Sequence, residues 1–251
     1  MHRSEAKRSI FSLRKRLRKL KRFLTAEIWI TDGDTRRRRY QSYPEYLAHQ
    51  KSKLSQIRNL DRKRRILMDA LRKRLSAVTW IKSGMSVLCL GARQGGECEV
   101  FIEMGTFAVG IDLNPGVENR HVMAGDFHQL QFADASIDCV FTNCLEHAFE
   151  VSTVIDEVRR VLKPGGLFIA EIVLGSRDER GRDPGEHDSV WWDHSESVID
   201  KIKQGGFSEI QRQEFGKPWA GIQVVCSSLI TMKASAARDL IAVDGFAPLG
   251  A

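Results

Sequence analysis

The residues best suited to chemistry lie between Gly91 and His147. Gly91-Ala92-Arg93-Gln94-Gly95-Gly96 follows the apolar run Val87–Leu90 and leads into ECEVFIEM, which has a helical pattern. A glycine-rich strand-to-helix turn lets a ligand approach the backbone and aims the first helical N–H groups at it. Taken alone, the same residues also describe an ordinary tight turn. A second apolar run ends in Gly110-Ile111-Asp112. Its carboxylate follows the glycine turn by about 20 residues, the spacing at which an acid accepts hydrogen bonds from ribose hydroxyls. A helix cap or a solvated strand end is the simpler use of such an acid. Together the two features describe an α/β domain that binds a nucleoside. Gly125-Asp126-Phe127 adds an acid and an aromatic ring able to meet the edge and face of a purine, and Asn143 to His147 forms a polar strand end.

His147 is the candidate general base, because it lies just past a strand, where parallel sheets open their ligand crevice. Its structural alternative is a histidine packed under the following helix. The stretch GSRDERGRDPGEHDSVWWDHSE carries His187, Asp188, Trp191, Trp192, Asp193 and His194. Long loops at this edge shape the pocket of a second substrate, while two tryptophans equally suit packing on the core. The histidine and aspartate spacing shows no tight ligand pattern, so no metal is expected.

Short strands and helices must alternate to place these groups. VLCL, FAVGI, IDCVF and LFIAEIVL are apolar runs separated by helical segments, which argues for a parallel sheet with helical crossovers. GGFSEIQRQEF and GIQVVCSSLITM read as a closing antiparallel hairpin. Residues 44–78 read as one long or two shorter helices, and EIWI as a strand or turn ahead of the basic run Arg36–Arg39. In residues 7–24, Ile10, Leu13, Leu17, Leu20 and Leu24 form one apolar stripe on a basic helix.

The 251 residues divide by charge. Residues 1–82 carry 25 Lys/Arg against 7 Asp/Glu, and residues 83–251 carry 14 against 25. A basic appendage on an acidic domain follows. The basic stripe suits self-association, an anionic membrane surface or, less well for want of stacking aromatics, nucleic acid. A composition of 42% hydrophobic and 28% charged residues excludes a wholly disordered chain. Five scattered cysteines without a C-x-x-C pair suit reduced thiols and a cytoplasmic setting, and no apolar run is long enough to span a membrane. The acid-poor first 24 residues also suit a transit peptide.

FADASIDCVFTNCLEH and EVRRVLKPGGLFIAEI complete an ordered set with the glycine turn, Asp112 and Gly125-Asp126-Phe127. With that set, roughly residues 65–232 resemble a class I S-adenosylmethionine-dependent methyltransferase. The resemblance implies a Rossmann-like α/β fold: a seven-stranded, mostly parallel sheet with helices on both faces. A basic helical extension would occupy residues 1–64, the domain residues 65–234, and a tail residues 235–251. By the same resemblance Gly91 and Gly95 face the methionine part of S-adenosylmethionine, and Ala92 and Arg93 of the same turn also bind the cofactor. Asp112 holds the ribose, Leu113 and Phe127 flank the adenine, Asp126 accepts from the adenine amino group, and Asn143 and Leu145 line the wall near the sulfonium. Glu146 and His147 sit at the acceptor mouth, and a helix over YPEYLAHQKSKL brings Tyr43, Tyr46 and His49 near the substrate. Two positions depart from the family pattern. Cys89 stands where an acid is usual, and Arg93 where the middle glycine is; Arg93 either pairs with the cofactor's carboxylate or obstructs the pocket. The expected activity is methyl transfer to an oxygen or nitrogen of a small or membrane-associated acceptor, such as a glycan or lipid intermediate. A non-catalytic relative and an RNA methyltransferase are the alternatives.

Overall fold

The computed structural model describes residues 28–117, 119–216 and 219–228. The leucine-striped segment 7–24 and the tail from 235 lie outside them. The described chain begins with a hairpin, β1 (Trp29–Asp32) and β2 (Thr35–Arg38), followed by helices α1 (Tyr43–Gln56) and α2 (Leu60–Leu75). Thus residues 44–78 form two helices. The expected boundary between residues 64 and 65 falls inside α2.

Beyond α2 the chain runs β3 (Ser86–Leu90), α3 (Gly96–Glu103), β4 (Phe107–Asp112), β5 (Val122–Ala124) and β6 (Ile137–Thr142). It continues as α4 (Val151–Val161), β7 (Leu162–Val173), β8 (Val190–Trp192), α5 (Glu196–Gln204), β9 (Phe207–Phe215) and β10 (Gly221–Ser228). Seven strands form one sheet in the order β5-β4-β3-β6-β7-β10-β9. The first five pair in parallel, and β10 runs antiparallel to both neighbours.

Side-chain alternation along the strands builds a core on each face. Leu88, Leu90 and Val140 point to one face, where Val151, Val154, Ile155 and Val158 of α4 and Val198, Ile199 and Ile202 of α5 cover them. These residues recur at helical spacing, so packing overrides the weak helix propensity of β-branched side chains. Val87, Cys89, Cys139 and Phe141 point to the other face, under Met68, Leu71 and Leu75 of α2 and Val100 and Phe101 of α3. Gly110 is required in β4 because a Cβ there would lie 2.6 Å from that of Ala92 and 2.9 Å from the Cys98 sulfur. The glycine turn can therefore sit directly against the neighbouring strand.

The first third corrects one expectation. Its basic run is not helical: Arg36, Arg37 and Arg38 lie in β2, which pairs antiparallel with β8 in a separate three-stranded sheet. Arg38 Nε donates to the Asp188 carbonyl at 3.1 Å, and Arg36 pairs with Asp193 at 3.1 Å. These cations are consumed in holding the chain onto the long segment after β7. Trp191 and Trp192, fully buried, are stacked within that attachment. Among the described residues no helix is long and apolar enough to cross a membrane.

Candidate active site

A cavity of about 490 Å³ opens at the carboxyl ends of β3, β4 and β6, under α1 and α2, within the range usual for small-molecule sites. At its floor the chain leaves β3 through Gly91, whose φ of +64° favours glycine. A Cβ there would strike the Cys144 sulfur.

Asp112, at the end of β4, forms one wall. Its Oδ2 accepts from the Arg93 N–H at 3.0 Å and its Oδ1 from the Asn114 N–H at 2.8 Å. Two backbone donors fix the carboxylate while leaving each oxygen a further acceptor site. Leu113 and Phe127 lie beside it on the lining. Near the glycine turn Glu97, in the first turn of α3, is 5% exposed and accepts from Asn143 Nδ2 at 3.2 Å. Burial pushes its carboxyl up to about 7.

The opposite end holds titratable groups. His147 sits in a 3-10 turn after β6. Its Nδ1 faces the His187 carbonyl at 2.9 Å. A carbonyl can only accept, so Nδ1 carries the proton and Nε2 keeps the lone pair. Lys53 Nζ donates to that Nε2. Burial, reinforced by Lys53, drives the imidazole well below its ordinary range, so it is neutral at pH 7. Loss of water, then the Arg93 charge, lowers Lys53 to about 8. Glu146 is raised to about 7 by burial and by Asp188, and its buried Oε2 has no hydrogen-bond partner.

Helix α1 roofs this end with Tyr46, Gln50 and Lys53, spaced to share one face. The Tyr46 hydroxyl donates to the His147 carbonyl at 3.1 Å, and Gln50 Nε2 to the His187 carbonyl at 2.8 Å. Asn114 Nδ2 donates to the Lys51 carbonyl at 3.0 Å, tying the roof to the Asp112 wall.

Of the expected site residues, Gly91, Ala92, Arg93, Asp112, Leu113, Phe127, Asn143 and His147 line this one cavity. Three stand outside its lining. Asp126 is occupied elsewhere: Oδ2 accepts from the Tyr43 hydroxyl at 2.5 Å, and Oδ1 from the His128 N–H at 2.9 Å. Although burial works the other way, these hydrogen bonds hold its carboxyl below the usual range. Leu145 turns into the core beneath α4. Gly95 caps the start of α3, against His121 and Val122. Of the three roof residues expected near the substrate, only Tyr46 lines the cavity; Tyr43 serves Asp126, and His49 stacks on His187. Cys89 points away, into the core on the α2–α3 side. Lys53 and Glu97 are lining residues that motif reading passes over. The spacing of Tyr46, Gln50 and Lys53 on one helical face was the available signal for Lys53.

A carboxylate pinned at the wall, apolar residues beside it and a glycine turn at the floor fit the nucleoside of S-adenosylmethionine. Residues 88–170 match the family model described as "Methyltransferase domain". The chain carries a class I S-adenosylmethionine-dependent methyltransferase domain, a domain type whose cofactor is S-adenosylmethionine. It is 33% identical over 104 residues to a sterol 24-C-methyltransferase of Gibberella zeae, covering 35% of this chain and 27% of that protein. It is 30% identical over 95 residues to a malonyl-[acyl-carrier protein] O-methyltransferase of Coxiella burnetii, covering 36% of this chain and 34% of the relative. The chain therefore matches well under half the length of either. The fold is shared with the Burkholderia thailandensis 1,6-didemethyltoxoflavin-N1-methyltransferase, solved with 1,6-didemethyltoxoflavin and S-adenosylhomocysteine. That likeness has a TM-score of 0.59 at 17% identity and covers 80% of this chain and 98% of the other.

Proposed function

We propose that this protein transfers the methyl group of S-adenosylmethionine to an oxygen or nitrogen atom of a small or membrane-associated acceptor entering beside His147. The observation that carries this reading is one cavity with a pinned Asp112 carboxylate at one end and an acid–base cluster at the other. The bound cofactor supplies an electrophilic methyl on a sulfonium. The chain's task is then to hold the acceptor in line, exclude water and receive a proton. Asp112 accepts from the ribose hydroxyls, and Leu113 and Phe127 flank the base. His147, neutral with its lone pair turned toward Lys53, is the proton acceptor. Lys53, on a flexible four-carbon stem, caps that lone pair and gives way to an acceptor O–H or N–H. The unpartnered Glu146 Oε2 offers the same donor a second acceptor. The named relatives act on carbon, oxygen and nitrogen; this acid–base cluster is what favours O–H or N–H here.

Calorimetric titration with S-adenosylmethionine and S-adenosylhomocysteine tests the first half of the reading. Micromolar binding supports it, and no binding of either refutes it. Transfer of a labelled methyl group to candidate alcohols, acids and amines, lost in His147→Ala, tests the second half. The membrane-associated version predicts co-sedimentation with anionic vesicles that is lost in Leu13→Asp/Leu17→Asp.

A further inference from the structure

One nitrogen of the chain already stands beside the base. Two lysines line the cavity: Lys63 is exposed on the rim, whereas Lys53 reaches in from α1 and is partly buried. Lys53 Nζ donates to Nε2 of the neutral His147 ring. An N–H aimed at an imidazole lone pair is a proton with its acceptor in place. The Nδ1 proton, held on the His187 carbonyl at 2.9 Å, keeps that lone pair on the Lys53 side. Tyr46 and Gln50, on the same face of α1, fix the helix over the carbonyls of His147 and His187.

The groups around the amine act in both directions. Burial and the Arg93 charge favour the neutral form, while Glu146, Cys144 and Asp188 favour the ammonium. Burial and Arg93 prevail, and Lys53 titrates at about 8. About a tenth of the molecules then carry a free amine at pH 7, against roughly one in three thousand for a lysine at the ordinary 10.5. A lysine neutralised in this way is a nucleophile. Cys144, which acts on Lys53, also lies against the Gly91 turn. The amine is therefore near both the glycine turn and the base.

Resting on the cofactor reading above, we propose that Lys53 is a self-methylation site, whose Nζ takes the methyl group of S-adenosylmethionine when no outside acceptor fills the cavity. The ammonium first gives a proton to His147 Nε2. The amine lone pair then forms the N–CH3 bond as the S–CH3 bond breaks, and that bond's electron pair leaves on S-adenosylhomocysteine. The positive charge of the sulfonium passes to the nitrogen, and His147 releases the proton to water.

The test incubates the full chain with S-adenosylmethionine alone and maps added methyl groups by mass spectrometry of the digest. One methyl should appear on Lys53, at a rate per molecule that does not change with protein concentration. Lys53→Arg, which keeps the charge, should gain none there or on Lys63. His147→Ala should slow the gain by ~10²–10⁴ while binding S-adenosylhomocysteine within twofold of wild type in calorimetry. Trace acetylation by acetic anhydride, with no cofactor present, reads the amine by itself. At pH 7 Lys53 should label faster than the more exposed Lys63, and slower labelling overturns the proposal. Wild type that binds S-adenosylhomocysteine but leaves Lys53 unmethylated, or methylates it only between molecules, also overturns it and leaves the cofactor reading standing. Wild type that binds neither S-adenosylmethionine nor S-adenosylhomocysteine overturns both.

Discussion

Removing the Asp112 carboxylate gives the most direct measure of the nucleoside site. Each Asp112 oxygen already accepts one backbone N–H, at 3.0 and 2.8 Å, and has one acceptor position left. In the proposed function two ribose hydroxyls fill those positions. Hydrogen bonds to a charged group contribute ~1.5–3 kcal/mol each, so the pair could supply ~3–6 kcal/mol. Asp112 is only half-buried, and solvent screening favours the lower end. Asp112→Ala should then cost about 3 kcal/mol, or ~150-fold in affinity at ~1.4 kcal/mol per tenfold. The substitution also frees two backbone donors, which could loosen the turn without any ribose contact. A cycle with the 2′,3′-dideoxy analogue of 5′-methylthioadenosine separates the two effects. By calorimetry, losing the hydroxyls should cost wild type about as much as Asp112→Ala does, and should cost the variant almost nothing. An equal penalty in both proteins would refute the ribose contact and leave Asp112 as a turn-forming residue.

His147→Ala should lower methyl transfer by ~10²–10⁴, the usual range for a general base, with S-adenosylhomocysteine affinity within twofold in calorimetry. Equal losses of both would make the histidine a binding residue. Glu97, raised to about 7 by burial, binds a proton more tightly in the folded chain than in the unfolded one. Its contribution to stability therefore falls as pH rises from the ordinary carboxylate range to about 7. Relative to wild type, Glu97→Gln should gain stability across that window, as read by urea unfolding at several pH values. A difference independent of pH would count against a buried titrating carboxyl. Arg74 and Glu171 form a buried bidentate pair at 2.6 and 2.8 Å, with Gln223 donating to Glu171 at 2.9 Å. Arg74→Met strands the carboxylate and should cost ~3–5 kcal/mol in urea unfolding, with Arg74→Met/Glu171→Leu recovering much of it. No recovery would show that the guanidinium serves mainly to pack on Phe215, which it covers at 4.3 Å.

The sheet was legible because each central strand is a short apolar run and because helices separate β3 from β4 and β6 from β7. Asp112 was legible for a local reason: strand end, glycine turn and acid lie within about 20 residues. Of the hairpin Trp29–Arg38, EIWI marked the first strand as a strand or turn, but the second was not legible, since TRRR has no strand alternation and is stabilised by β8 and by carbonyls far along the chain. The partners of Asp126 were not legible either, because they are remote in the chain. Tyr43, which donates to its Oδ2, lies 83 residues earlier. Lys53 was hidden for a similar reason: a lysine on a helix rich in polar residues looks like solvated surface until His147 is placed beneath it.

The pairing of β2 with β8 also sets a timetable. Arg36 meets Asp193 across 157 residues. At roughly 5–20 residues per second, a ribosome takes about 8–30 s to supply that partner. β2 has its hairpin partner β1 close at hand, but its other edge has nothing to pair with until β8 has been synthesised, after five of the seven strands of the large sheet. A nascent chain must therefore carry one edge of its arginine-rich strand open for that interval. Cationic side chains on an open edge discourage the wrong strand from adding there, so the charge that later fastens β2 first protects it.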